Sequence, residues 1–249
     1  MPKTHATSTI EAAGRTFTTN ALPDTYDLRD LDYRPMLHVL PPQLQAKPSG
    51  TAFLVLHQLG ESCTGHAVAA TIDTVLSRQA DELGSPQPPP VSPYMLYRLA
   101  RRYDEFGGEA DTGSSLRGAF KGWLRHGIAT SAEWNARAKA LRKSPLNAQV
   151  DLDEPDFVAS CRQRPLGAYY RVNPFRLDDM QSAVNELHAI AVSAAIHSGW
   201  SAPRWLKPPT GEPFAIIERD RSATPAGGHA FAIVGYDEHG FLVQNSWGT

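Results

Sequence analysis

Residues 53–83 constrain this chain most, because they combine a short apolar run, a polar turn and a long amphipathic pattern. The turn reads HQLGES, and CTGHAVAATIDTVLSRQADEL follows it. Apolar side chains recur there at helical spacing, which predicts one long helix with a buried face. Ser62 is a suitable N-cap residue, so we expect Cys63 in the first helical turn. Unpaired backbone N–H groups and the helix dipole favour a thiolate there, which predicts a nucleophile.

Two other interpretations of Cys63 stay open at this point. Cysteine is among the most buried residue types, so a single Cys in a helix is commonly a small core side chain. A metal site is the second, because Cys63 and His66 have ligand spacing and His57 and His229 are further candidates. A structural zinc site usually has a second close pair of ligands, however, and the sequence has none.

The C-terminal stretch GGHAFAIVGYDEHGFLVQNSWG, residues 227–248, favours the nucleophile. Its pattern predicts two antiparallel strands joined by a tight turn. His229 lies on the first strand and Asn245 on the return strand, close enough across the pair to interact. A nucleophilic thiol needs a base, and the base needs a group that orients it. The stretch therefore predicts His229 as the base for Cys63 and Asn245 as its orienting partner.

Three more residues complete the predicted site. Gln58 precedes the turn before Cys63, and its amide is expected to join the Cys63 backbone N–H in stabilising an oxyanion. Trp247 is expected to cover the His–Asn pair and exclude water. The glycines before the histidine, including Gly228, let a ligand approach the backbone closely.

Helical patterns dominate to about residue 165, and strand patterns follow from about residue 166. Strands that follow helices, instead of alternating with them, indicate an α+β fold with two lobes. We therefore expect a helical lobe over about 50–165 and a β lobe over about 166–249. Residues 1–22 are polar and predict a mobile leader. Residues 22–48 contain several Pro and Asp residues, which predicts an extended arm across the body.

Composition excludes several classes of protein. The formal net charge is −2 and the charged fraction is 20%, so no basic nucleic-acid or membrane surface is indicated. No apolar run approaches the roughly 18 residues that a membrane-spanning helix needs. The first residues carry no apolar signal segment, so we expect a cytoplasmic protein or export by a route other than Sec. Two cysteines do not make a disulfide scaffold.

The motifs themselves resemble a known family. HQLGESCTGHAVAA is similar to the active-site helix of bacterial papain-like cysteine peptidases, and GGHAFAIVGYDEHGFLVQNSWGT is similar to their His and Asn blocks. The resemblance covers roughly residues 22–249. It implies one peptidase domain over 23–249, with a helical left lobe, a β-barrel-like right lobe and an active site in the cleft between them. It also implies a polypeptide substrate, no cofactor, and a proteinaceous inhibitor or pro-segment as a partner.

Carried over by position, the resemblance implies roles for the same residues. Cys63 is expected to be the nucleophile, His229 the general base and acid, Asn245 the orienting residue and Gln58 the oxyanion donor. Substrate backbone is expected to bind the Gly228 carbonyl and a glycine of the 107–113 loop, for which Gly113 is our candidate, with Trp247 beside it.

Three departures from the family pattern bear on these expectations. Gln58 is 63 − 58 = 5 positions before Cys63, one fewer than usual, and Thr64 replaces the usual aromatic residue. The chain stops at Thr249, where relatives continue, so we expect a β lobe that is cut short.

The same triad also serves deamidases and acyltransferases, and a non-catalytic peptide-binding module with this fold is a further alternative.

Overall fold

A computed structural model of the chain describes residues 8–25, 27–36, 39–44, 55–106, 108, 110–206, 214–219 and 224–248. The start of the apolar run at 53–54, Gly107 of the glycine loop and Thr249 lie outside the described residues. The helices are α1 (Cys63–Leu83), α2 (Pro93–Tyr103), α3 (Leu116–His126), α4 (Ser131–Ala140), α5 (Pro155–Cys161) and α6 (Leu177–Leu187). The strands are β1 (Ser8–Ala12), β2 (Arg15–Thr19), β3 (Ile190–Ala195), β4 (Arg204–Leu206), β5 (Phe214–Ile216), β6 (Gly228–Asp237) and β7 (Gly240–Gln244).

The five helices α1 to α5 surround one apolar cluster and make up the helical lobe. Local sequence signals fix where they begin. The Ser92 side chain accepts a hydrogen bond from the Met95 N–H at the start of α2, with Pro93 in the first turn. Thr130 and Glu133 form a capping box at the start of α4. Helix α1 ends at Gly84, which takes the left-handed conformation with φ of 61°.

The β lobe is built on an antiparallel sheet of three strands in the order β3–β6–β7. Strand β6 lies in the centre and is buried along almost its whole length. Ala232 and Val234 pack towards Ala70 of α1, whereas Phe231 and Ile233 pack with Val184 of α6. The resemblance predicts a barrel-like lobe. The described strands instead form this open sheet and two separate two-stranded pairs, β1–β2 and β4–β5.

The N-terminal residues correct one expectation. The sequence predicts a mobile leader over residues 1–22, but β1 and β2 pair as an antiparallel hairpin around a turn at Ala13 and Gly14. Ile10 and Phe17 lie opposite each other and pack with Ile196 and Trp247 of the β lobe. Residues 1–7 lie outside the described part, and the division of the chain at residue 22 stays a prediction.

The described residues of the arm after the hairpin lie outside helices and strands and contact both lobes, and residues 26, 37–38 and 45–48 of the predicted arm lie outside the described part. Arg117 of α3 is buried and binds three carboxylates of the arm, on Asp24, Asp27 and Asp30. Further along, Leu44 and Tyr236 of β6 exchange backbone hydrogen bonds of 2.8 and 3.0 Å. No helix in the described residues is long and apolar enough to cross a membrane.

Helices α1 and α2 approach closely at Gly65, and this contact generates a first prediction. A methyl group at Gly65 would overlap the Pro93 carbonyl and lie 2.7 Å from Tyr97 Cβ. We expect Gly65→Ala to lower the free energy of unfolding by about 1–3 kcal/mol, although alanine is the better helix former. Urea denaturation followed by tryptophan fluorescence measures this. Gly167→Ala is the control, because nothing lies within 4 Å of the added methyl; equal losses in both variants would contradict the prediction.

Candidate active site

Cys63 is the first residue of α1, as the sequence predicts, and it is 1% exposed. Ser62 occupies the N-cap position but its side chain caps no helical N–H. The Ser62 hydroxyl instead donates to the Leu59 carbonyl at 2.7 Å, which fixes the turn before the helix. The backbone N–H of Ala230, the residue after His229, is directed at the Cys63 thiol. Helix α1 and strand β6 therefore place Cys63 against Ala230, the chain neighbour of the predicted base.

The protonation state of Cys63 differs from the expectation. Burial raises the pKa of the thiol from 9.0 to about 11, and the N–H groups of Ala230 and Thr64 oppose this only in part. The negative charge of Glu61 raises the pKa further. A helix N-terminus stabilises an anion by at most about 2 kcal/mol, whereas removing an anion from water costs several kcal/mol. Burial therefore outweighs the helix end, and the thiol is protonated at neutral pH.

His229 and Asn245 form the predicted pair. His229 Nε2 lies 2.7 Å from Asn245 Oδ1, and the Ser246 N–H donates to the same oxygen at 2.7 Å. Because two donors fix Oδ1, the imidazole must carry its proton on Nε2, and Nδ1 has the lone pair of a base. Burial lowers the pKa of His229 to about 4, against the opposing effect of the Asn245 hydrogen bond. The imidazole is therefore neutral above this value.

Trp247 packs against His229, one member of the pair that it is expected to cover. Its ring centroid lies 4.4 Å from that of His229, and the Trp200 ring meets His229 edge-on at 5.9 Å. On its other side Trp247 stacks on Phe17 of the N-terminal hairpin at 5.2 Å. Each aromatic pair contributes roughly 0.5–1.5 kcal/mol beyond the area that it buries. Under this aromatic cover His229 is 1% exposed.

Gln58 is buried next to the same strand end. Its Nε2 donates to the Gly60 carbonyl at 3.1 Å, and its Oε1 accepts from the Ser246 hydroxyl at 2.7 Å. The Gln58 backbone N–H donates to the Ser246 carbonyl at 2.8 Å. Ser246 thus joins the Gln58 turn to the residue that orients the histidine. The sequence contains this serine inside NSWG, but nothing in its local pattern indicates a contact 188 positions away.

The two predicted substrate-binding glycines both contact the N-terminal part of the chain. We call residues 19–22 the cleft segment. The Ala21 N–H donates to the Gly228 carbonyl at 2.9 Å, and the Leu22 N–H donates to the Ser114 carbonyl at 2.9 Å. Gly113, with φ of 80°, lies directly under the Asn20 carbonyl, where a side chain would clash. The cleft segment therefore lies between the two lobes like an added strand.

A cavity of about 470 Å³ lies beside the cleft segment. Residues 19–23 form one wall, and residues 193–195 of β3 with Gly227 and Gly228 form another. Ala194 of β3 pairs directly with His229 of β6, so the cavity is next to the candidate base. The cavity thus borders the strand that carries His229, and neither His229 nor Cys63 is among the residues that line it.

His66 is held by a hydrogen bond and by ring packing near the start of α1. Its Nδ1 lies 2.9 Å from the Ser62 carbonyl oxygen, and its ring meets Tyr94 edge-on at 5.3 Å. Burial lowers the pKa of His66 to about 4. Among the residues that the structure describes, no group of three or more His, Cys, Asp or Glu side chains is placed to hold a metal ion.

The N-terminal hairpin is the part of the site that the sequence analysis missed. A usable signal exists, because Ala13–Gly14 lies between two short threonine-containing runs with Ile10 and Phe17 at matching positions. Both turn residues have positive φ, of 48° and 68°, as hairpin turns require. The turn lacks the more common Asn or Asp before glycine, so the pattern is weak.

Solved structures with a similar overall fold identify the fold class of this chain. The chain has the papain-like α+β fold of cysteine proteases. Xylellain, a cysteine protease from Xylella fastidiosa, has a TM-score of 0.70 and 22% identity, over 98% of this chain and 87% of that one. Digestive procathepsin L 3 of Tenebrio molitor larval midgut has a TM-score of 0.59 and 16% identity, over 88% and 64%. A procathepsin B from Trypanosoma congolense has a TM-score of 0.58 and 16% identity, over 92% and 76%.

Comparisons of sequence alone do not detect this similarity. No protein-family model and no curated protein matches the chain. At identities of 16–22% the three structures establish the fold, and the chemistry must be argued from the site.

The two buried histidines generate a pH prediction. Each has an ordinary pKa of 6.5 and a folded pKa of about 4. Between these values the unfolded chain binds protons that the folded chain does not, so stability falls on acidification, by up to about 3 kcal/mol for each histidine. Above the unfolded pKa their contribution is constant.

Urea unfolding at about pH 7.5 and about pH 4.5 measures this effect. We expect His66→Gln to lose less stability on acidification than the wild type does, because glutamine does not titrate. His239→Gln, at an exposed position, is the control and should keep the wild-type loss. If His66→Gln lost as much stability on acidification as the wild type does, the prediction would be contradicted.

Proposed function

We propose that this chain is a cysteine peptidase that hydrolyses peptide bonds through Cys63, His229 and Asn245. The observation that carries the proposal is the 2.7 Å contact of His229 Nε2 with Asn245 Oδ1, next to a cysteine at a helix N-terminus. That contact leaves His229 Nδ1 as the basic nitrogen, and we assign to it the thiol proton. The fold of solved cysteine proteases supports the same assignment.

The proposed reaction uses these three side chains in turn. His229 Nδ1 takes the thiol proton while Cys63 Sγ attacks the carbonyl carbon of the scissile bond. The imidazolium then gives the proton to the leaving amine, and a thioester remains on Cys63. Water, activated by His229, hydrolyses the thioester and restores the thiol. Asn245 holds the ring through both transfers, and its neutral amide adds no charge to the buried pair.

Oxyanion stabilisation is proposed for the Cys63 backbone N–H and the Gln58 amide. The Ser246 hydroxyl holds Gln58 Oε1, so the NH₂ group points away from Ser246 and towards the turn that precedes Cys63. Gly60 accepts from one of the two amide hydrogens. The turn is one residue shorter than the family pattern, and Ser62 and Ser246 stabilise it at its two ends.

We further propose that the cleft segment acts as a built-in pro-segment. Its Ala21 and Leu22 N–H groups donate to the carbonyls of Gly228 and Ser114, at or beside the two glycines that we assign to substrate, so the segment and a substrate compete for the same backbone groups. Ala21 of the segment belongs to the same apolar cluster as Cys63, whose pKa burial raises. We expect removal of the segment to hydrate the thiol and lower its pKa, which favours the thiolate–imidazolium pair. Structural similarity to two procathepsins supports this part of the proposal.

The alternative functions, a deamidase, an acyltransferase or a peptide-binding module, differ in what the same side chains would do. A deamidase or acyltransferase would form the same thioester, and only its products would differ. A non-catalytic peptide-binding module would have no reason to keep the His229 and Asn245 pair covered by Trp247. The retained pair favours the catalytic proposals over the binding module.

The role of Cys63 is tested by substitution and by product analysis. We expect Cys63→Ala to lower peptide turnover at least about 10³-fold, because the thioester can no longer form. Digestion of a peptide library followed by mass spectrometry measures turnover and separates cleavage from deamidation or acyl transfer. Cys161→Ala is the matched control, since this second cysteine is packed in the helical lobe. Equal cleavage by the wild type and Cys63→Ala would refute the proposal.

The role of the cleft segment is tested at Ala21. Proline at this position removes the N–H that donates to Gly228, and an extended Asn20 is compatible with it. The loss of about 1–2 kcal/mol should raise the rate of Cys63 alkylation by iodoacetamide about tenfold. Peptide mapping by mass spectrometry locates the label. Ala21→Ser keeps the N–H and is the control; if Ala21→Pro reacts no faster than this control, the segment does not close the cleft.

A further inference from the structure

Glu61 lies in the cleft, two residues before Cys63. It is half-buried, and its backbone N–H donates to Asp111 Oδ1 at 3.1 Å. Asp111 is fixed in turn by the Tyr97 hydroxyl, which donates to the same oxygen at 2.6 Å. A methyl group at Gly60 would overlap the Asp111 carboxylate, so the turn and this acid are in contact. The main chain at Glu61 is therefore held in place, and its side chain has a defined position in the cleft.

The cleft segment already places one side chain on Glu61. Asn20 Nδ2 donates to Glu61 Oε2 at 2.8 Å. The backbone of Asn20 bridges to Gly228, and its carbonyl lies over Gly113. Glu61 therefore meets the side chain of whichever residue lies between these two glycines, and Asn20 stands in for a substrate residue.

The chemistry of Glu61 decides which side chains suit this position. Asparagine offers one neutral donor, whereas an arginine or lysine offers several donors and the opposite charge. An apolar side chain would cover a half-buried carboxylate without a donor, and an acidic one would be repelled. Burial is the main cause of the raised pKa of the Cys63 thiol, and the charge of Glu61 adds to it. A cation on Glu61 would cancel that second effect and so favour the thiolate.

We propose that Glu61 makes this peptidase selective for peptides with a positively charged side chain, arginine or lysine, at the position that Asn20 occupies in the closed cleft. This inference rests on the proposed peptidase function and adds the substrate class. Glu61 is a specificity residue that contacts the substrate side chain and takes no part in proton transfer.

The test compares peptides that differ at one residue. Sets with Arg, Lys, norleucine or Glu at each position around the scissile bond are digested by the full-length chain, and kcat/KM is measured. At one position we expect the wild type to prefer Arg or Lys over norleucine by about 10- to 100-fold, as a charge-assisted hydrogen bond predicts. A ratio of two substrates does not depend on the fraction of enzyme whose cleft is open.

Two variants assign that preference to Glu61. We expect Glu61→Gln, which keeps the shape and removes the charge, to lower the ratio to about threefold or less, and Glu61→Lys to favour Glu over Arg. Glu238→Gln is the matched control, because that side chain is 88% exposed on the β6–β7 turn. It should keep the wild-type ratio. A ratio that is unchanged in Glu61→Gln overturns the inference.

The outcomes separate this inference from the proposed function. If neither the wild type nor Ala21→Pro cleaves any peptide, and Cys63 takes no label in either, the peptidase proposal fails. If the wild type cleaves peptides without preference for a cation at any position, only the inference on Glu61 fails. If Glu61→Gln does not fold, the inference is tested instead by the salt dependence of the wild-type preference, measured as kcat/KM for Arg or Lys peptides divided by kcat/KM for norleucine peptides. A contact between charges weakens with added salt, so a ratio that does not change with salt overturns the inference.

Discussion

The close packing of β6 on α1 is the contact on which the rest of the site depends. Cys63 begins the helix and His229 lies at the start of the strand, so the distance between these elements sets the distance between their functional groups. Alanines line the contact on both sides, with Ala67 and Ala70 on the helix and Ala230 and Ala232 on the strand. Small side chains let two backbones approach closely, and the Ala230 N–H consequently points at the thiol.

The same packing explains why the site is closed and uncharged. Each functional group is taken out of water, and burial acts in opposite directions on their pKa values, raising that of Cys63 and lowering that of His229. The helix N-terminus and the Asn245 hydrogen bond oppose these shifts but are the smaller effects. The proposed departure of the cleft segment would favour the ion pair, which links the proposed chemistry to the proposed control of access.

Much of the candidate site could be predicted from residues near each other in the chain. The helix start at Cys63, the strand that carries His229 and the return strand before Asn245 follow from local patterns, and all three are found. For residues 8–19 the sequence predicts part of a leader, because the turn signal is weak and the side chains on which the hairpin packs, such as Trp247, lie at the other end of the chain. The barrel-like lobe was predicted by resemblance, and the described strands form an open sheet instead.

The sequence by itself determined which residue types are present and which element carries each, since caps, periodicity and turns act over a few positions. Only the tertiary structure decided the protonation states, the cover on His229 and the contact of Asn20 with Glu61. These depend on how much water is excluded and on which distant segments meet. The exclusion of water and the meeting of distant segments both depend on contacts between residues far apart in the chain, so they cannot be predicted from a local sequence pattern.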